Sequence, residues 1–309
     1  MKTALSLALK ITAAALLAAL LLIALLLALI ALRPAVPNNY TKTVETGGPL
    51  EAAFLATGPH KVKYLESEAE APLGKLQVYY PEDLPRSGGT YPAVIFANGT
   101  GVRASKYKAL FRHLASWGFI AAGNEDPDSW TGQSSDRTLA LLLEENRRED
   151  SVLYGRVDLE NIGVTGHSQG GVGVFTAVTA NEHSGLYKAA VALSPTHEEG
   201  AEALGWSYDL AAVRVPTLLL AGTEGDFETQ LVIPPEAMAR MYDKIDAPKA
   251  MARKTGLEHG QTLYGADGYA TAWLLWQLKG DQEAGKVFAG DAPELSRNAL
   301  YQDVRLDID

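Results

Sequence analysis

The 309-residue chain contains no cysteine. Disulfides, thiolate nucleophiles, cysteine-zinc centres and a lipidated-cysteine anchor are excluded outright. Positive charge is scarce as well. Only 27 Lys and Arg stand against 37 Asp and Glu, a formal net charge of −10, and no Lys/Arg cluster occurs beyond the first ten residues. A nucleic-acid partner calls for the opposite balance. Histidine is limited to six positions, so any imidazole chemistry has few candidates. No internal repeat is present.

What is abundant is apolar sequence, and most conspicuously at the N-terminus. Residues 11–32 form a 22-residue run of Ala, Leu and Ile broken only by Thr12. At about 1.5 Å per residue such a helix spans a bilayer core of roughly 30 Å. The run exceeds the roughly 7–15 apolar residues of a signal peptide and meets Arg33-Pro34, a poor cleavage site. The sequence thus predicts a signal anchor over residues 1–33, a transmembrane helix. A cleaved leader is the competing reading, which would make the protein secreted. Lys2 and Lys10 precede the run and Arg33 follows it, which orients a single-pass protein with its body extracytoplasmic. Residues 34–57 hold three prolines, Asn38-Asn39 and Gly47-Gly48, and read as a linker. Residues 58–309 are left for the folded body.

Within that body, residues 61–65 and 75–80 alternate as a hairpin would. Short apolar runs at 93–97, 119–122, 161–165, 188–193, 216–221 and 248–254 read as strands. They alternate with helical patterns at 105–117, 136–148 and 268–279. Continuous apolar strands interleaved with helices predict an α/β fold, a mostly parallel sheet with helices on both faces. Chemistry in such sheets sits beyond the carboxyl ends of the strands.

One stretch there is unusual. Residues 163–173 read GVTGHSQGGVG, five glycines around one serine directly after an apolar run. It contains Gly166-His167-Ser168-Gln169-Gly170, a G-x-S-x-G pentapeptide between a strand and a small-residue helix, as a nucleophile elbow requires. A serine hydroxyl needs a base to take its proton and an acid to orient that base. In this architecture the chain order is Ser, acid, His. Asp226, in Gly222-Thr223-Glu224-Gly225-Asp226, is the expected acid, with Glu224 as second choice. His259, in Gly256-Leu257-Glu258-His259-Gly260, is the expected base. His197 precedes the acid and is in the wrong order, while His167 would support the elbow or line the cleft. The oxyanion donors are expected to be the amides of Gln169 and Thr100, with Gly101 second, since Asn98-Gly99-Thr100-Gly101 follows the strand at 93–97.

The chain from about residue 60 to 290 resembles α/β-hydrolases of the cutinase-like branch, which includes polyester hydrolases and chlorophyllase-type esterases. The resemblance rests on Ala97-Asn98-Gly99-Thr100, His113-Leu114-Ala115-Ser116-Trp117-Gly118-Phe119, Val164-Thr165-Gly166-His167-Ser168-Gln169-Gly170-Gly171, Val215-Pro216-Thr217-Leu218-Leu219 and the two loops holding Asp226 and His259. It implies an α/β-hydrolase fold and an esterase using a Ser-His-Asp triad, with neither metal nor organic cofactor. Three positions depart from the family pattern. The usual aromatic of the oxyanion turn is Thr100, the usual methionine after the nucleophile is Gln169, and the substrate-stacking tryptophan falls at Thr196. Trp130 is a further candidate wall, as are Trp206 and Tyr208. The expected substrate is a small-molecule or lipid-like carboxylic ester. A lipase, thioesterase or peptidase on the same residues, or a catalytically silent binding module, are the alternatives.

Overall fold

The computed structural model describes residues 33–308. The apolar run at 11–32, and the anchor expected there, lie outside the described residues. No helix among the described residues is long and apolar enough to cross a membrane. The longest strongly apolar one, Asp267–Lys279, has 13 residues, short of the roughly 17–25 a span needs. The expected fold class is corrected accordingly. Over the described residues the architecture is α/β with a mostly parallel sheet, and none of its helices is a membrane-spanning one.

Among the described residues, nine strands make one sheet: β1 (Val62–Glu68), β2 (Lys75–Pro81), β3 (Tyr91–Ala97), β4 (Ile120–Asn124), β5 (Val157–His167), β6 (Tyr187–Leu193), β7 (Thr217–Gly222), β8 (Lys249–Lys254) and β9 (Tyr301–Asp307). Their order is β1-β2-β4-β3-β5-β6-β7-β8-β9. From β4 to β8 every neighbouring pair is parallel, while β1, β2 and β9 are antiparallel additions at the edges. The central strands are continuously apolar because both faces are covered. Val94, Ile95, Val164, Val191, Leu218 and Leu219 are all fully buried.

The chain passes from β3 outward to β4, then back across β3 to β5, and continues to β8. The winding direction therefore reverses between β3 and β5. A crevice opens at such a reversal because the flanking loops diverge to opposite faces. The loops after β3 and β5 carry Thr100 and Ser168.

Residues 36–57 correct the expected linker. They belong to the same compact unit as the body, Val36–Asp309. Val36, Tyr40, Phe54 and Leu55 are buried. Pro49 opens the helix Pro49–Leu55, where a proline costs no hydrogen bond. The amides of Leu50 and Glu51 at that helix start both donate to the Glu294 carboxylate at 2.8 Å. The Tyr40 hydroxyl donates to Asp267 at 2.5 Å, and Asp267 also contacts His113 Nδ1 at 2.7 Å. Proline and glycine content suggested an extended tether, whereas partners some 200 residues away convert the segment into a strap.

Candidate active site

β5 ends at His167, and the chain turns sharply into the helix Gln169–Thr179. Ser168, at the corner, has φ 61° and ψ −120°. A non-glycine residue in that conformation stores roughly 1–3 kcal/mol of strain, held only because the surroundings fix it. The turn closes because two neighbours lack a Cβ. A Cβ on Gly166 would lie 2.4 Å from the Gly170 carbonyl oxygen, and one on Gly170 would lie 2.2 Å from that of Ala97. The half-buried Ser168 side chain is thereby lifted above the carboxyl edge of the sheet.

His259 follows β8 and starts the helix His259–Gly265, whose cap, Glu258, exchanges reciprocal hydrogen bonds with Gln261. Its Nε2 stands 2.9 Å from Ser168 Oγ. On the other side of the ring, Nδ1 stands 2.6 Å from a carboxylate oxygen of Glu228. A carboxylate only accepts, so Nδ1 carries the proton and Nε2 is the free acceptor facing Ser168. The structure thus joins Ser168, His259 and Glu228 in one hydrogen-bonded chain.

Neither expected acid occupies that place. Asp226 is exposed and its Oδ1 accepts from the Gln230 side chain at 2.6 Å, while Glu224 is also exposed. The physical reason lies in the turn Phe227–Val232, which winds more widely than an α-helix. It points residue 228 inward and leaves residue 226 at the rim. Glu228 is fully buried. Its second oxygen accepts from Ser194 Oγ at 2.5 Å and from the Gly222 amide at 2.7 Å. Burial pushes its pKa up, but hydrogen bonds from His259, Ser194 and Gly222 outweigh burial and hold it below the ordinary glutamate value. A signal for it was present in the sequence. Glu228 and Val232 are four apart, both on the inward face, while Phe227 and Leu231 share the outward one.

The loop after β3 is anchored from beneath. Asn98 Nδ2 donates to the carbonyls of Asn124 and Asp126, and the Gly99 amide donates to the buried Tyr107 hydroxyl at 3.0 Å. The Gly101 amide is engaged by the Pro127 carbonyl at 3.0 Å. Among the described residues, the amides of Thr100 and Gln169 donate no hydrogen bond. They remain free to meet a developing negative charge. The Gln169 side chain is occupied instead, accepting from the Ser129 amide at 3.0 Å.

The other candidates fall into place around this centre. His167 is buried and its Nε2 donates to the His259 carbonyl at 2.8 Å, with the rings 4.5 Å apart. Burial and the neighbouring His259 push its pKa down to about 3, so it is a neutral imidazole packed against His259. His197 pins the end of the turn Phe227–Val232 through two contacts to the Val232 carbonyl, at 2.9 Å from its amide and 2.8 Å from Nδ1. Thr196 is buried and its carbonyl accepts from Tyr208, whose ring stacks on Phe175 in the core. Neither residue is a free wall. Trp130 is half-buried, its carbonyl fixed by Thr176 Oγ1 at 2.7 Å. Phe227, which the sequence did not single out, is exposed, with its ring edge-on to His259 at 5.0 Å.

The family model described as PET hydrolase-like matches residues 38–295. Over 184 residues the chain is 31% identical to a bis(hydroxyethyl) terephthalate hydrolase of Streptomyces coelicolor, covering 58% of this chain and 54% of that protein. Over 228 residues it is 32% identical to a cutinase of Thermobifida fusca, covering 70% of this chain and 66% of that protein. A chlorophyllase of Chenopodium album is 26% identical over 136 residues, 39% of this chain and 36% of that protein. The chain thus spans about half to two thirds of the length of the first two. With most of its body matched, the chain belongs to the PET hydrolase-like family.

Proposed function

We propose that the protein is a serine hydrolase that cleaves carboxylic esters through an acyl-enzyme. The observation that carries this reading is the chain from Ser168 Oγ through His259 to buried Glu228. His259 Nε2 takes the Ser168 proton as Oγ attacks the ester carbonyl carbon. Glu228, kept ionised by its three donors, fixes the Nδ1–H tautomer and offsets the charge on the imidazolium; no proton passes to it. The free amides of Gln169 and Thr100 hold the oxyanion. His259 then gives its proton to the leaving alkoxide, and the alcohol departs. A water attacks the acyl-enzyme, losing its proton to His259, which returns it to Ser168 Oγ as the acid is released.

The names of the relatives, a terephthalate ester hydrolase and cutinases, support a carboxylic ester as the substrate class. The test is hydrolysis of p-nitrophenyl butyrate by the full chain and by Ser168→Ala. The variant is expected to lose roughly 10⁵–10⁶ in kcat. Equal activity in both would end this reading.

A further inference from the structure

The surface around Ser168 is chemically lopsided. On the side of the free amides stands Thr100, exposed and polar, and the Gln169 side chain is turned away onto Ser129. On the side of His259 stands Phe227, with 57% of its surface open, and on the same outward face Leu231, with 63%. A lone exposed apolar residue needs no explanation. Two of them on one six-residue turn, with an aromatic ring packed edge-on against the base, are a different matter.

The turn that carries them is held from within. Glu228 has three hydrogen-bond partners, the Val232 carbonyl has two from His197, and Ile233 is fully buried. Phe227 is therefore presented on a fixed backbone, which lowers the ordering cost of binding against it. Position also decides which part of an ester it meets. The base gives its proton to the leaving oxygen, so the alcohol portion lies on the His259 side of Ser168 and the acyl oxygen on the side of Gln169 and Thr100.

We propose that Phe227, assisted by Leu231, is a specificity-determining residue that binds the apolar alcohol portion of the ester, making the enzyme selective for bulky alcohols more than for long acyl chains. The proposal rests on the esterase reading and deepens it.

The test uses the full chain, Phe227→Ala, Phe227→Leu and Leu231→Ala with two matched ester series. One keeps butyrate and varies the alcohol through methyl, hexyl and benzyl; the other keeps benzyl alcohol and varies the acid from acetate to octanoate. Labelling of Ser168 by a serine-directed phosphonate is recorded beside them. Phe227→Ala is expected to lower kcat/KM for hexyl and benzyl butyrate by about 10- to 100-fold, mostly through KM, while methyl butyrate changes less than about threefold. Phe227→Leu should recover the hexyl ester more than the benzyl one, and Leu231→Ala should show the same pattern more weakly. An equal loss on methyl and benzyl butyrate would overturn the proposal, because the ring would then serve only to place His259. A loss that follows acyl length would overturn it too. If the unmodified chain neither hydrolyses these esters nor takes the label, the esterase reading has failed with it; labelling and turnover with unchanged alcohol preference sink the proposal alone.

Discussion

Two buried glutamates, both tied to the segment around β8, are used in opposite ways. Glu228 holds His259, five residues past the strand, and is joined by Ser194 and the Gly222 amide. Glu51, from the N-terminal strap, holds Lys254 at the strand's end at 2.6 Å, together with Tyr301, Asn298 and the Gly47 amide. Each carboxylate is saturated with donors, as burial requires. The difference is in the partner. Lys254 brings a charge of its own, and although burial pulls its pKa below the ordinary lysine value, Glu51 opposes that pull. Under the proposed mechanism His259 is neutral at rest and gains its charge only when Ser168 gives up a proton. On that mechanism one glutamate acts on the folding equilibrium and the other on the barrier to reaction.

That separation can be broken by mutation. The largest stability effect is expected from Glu51→Ala, which leaves Lys254 buried without its counter-charge. Losing one partner of a buried pair costs about 3–5 kcal/mol. Urea unfolding should show that loss, while kcat per folded molecule stays within about twofold. A collapse of kcat in protein that remains folded would mean the two regions are not separable. Ser194→Ala comes next. It removes a hydrogen bond to an ionised group, worth about 1.5–3 kcal/mol, so kcat should fall by about 10- to 100-fold. An unchanged kcat would show that Gly222 and His259 suffice to hold Glu228.

The smallest effect concerns pH. His167 has a folded-state pKa near 3 against an ordinary value of 6.5. The unfolded chain thus takes up a proton below about pH 6.5 while the folded one does not, so stability is full above that value and falls as pH drops through the window. The slope is about 1.4 kcal/mol per pH unit. Between pH 7.5 and 5, His167→Asn should lose about 2 kcal/mol less stability than the unmodified chain, measured by urea unfolding at both values. Identical losses would place the acid sensitivity elsewhere.

The apolar runs that became β3 and β5–β8 could be read from the sequence because both their faces are covered and the pattern is local. The same holds for the serine turn, where Gly166 and Gly170 mark close backbone approaches. β9 was not legible. It carries Gln302, Asp303, Arg305 and Asp307 with no apolar run, as a polar edge strand does, and its pairing with β8 is decided at long range. The strap was misjudged for the same reason, since what orders Tyr40 and Glu51 lies at residues 254–301. The acid is the most instructive case. Glu224, Asp226 and Glu228 lie within five residues, and a carboxylate in the loop after β7 was expected at Asp226 or Glu224, not at Glu228. The wide winding of Phe227–Val232, fixed by His197 and buried Ile233, turns Glu228 inward.

Whether Glu228 or Asp226 serves His259 is reached most directly by one paired measurement: kcat of Glu228→Gln and of Asp226→Asn on the same ester, with Tm recorded for both. The side-chain amide introduced by Glu228→Gln would donate to His259 Nδ1 and force the wrong tautomer, so kcat should fall by roughly 10⁴-fold in protein that still folds. Asp226→Asn should stay within about threefold of the unmodified chain, since the exposed Asp226 side chain accepts from Gln230 rather than from His259. The reverse pattern, with Asp226→Asn crippled and Glu228→Gln active, would contradict the account.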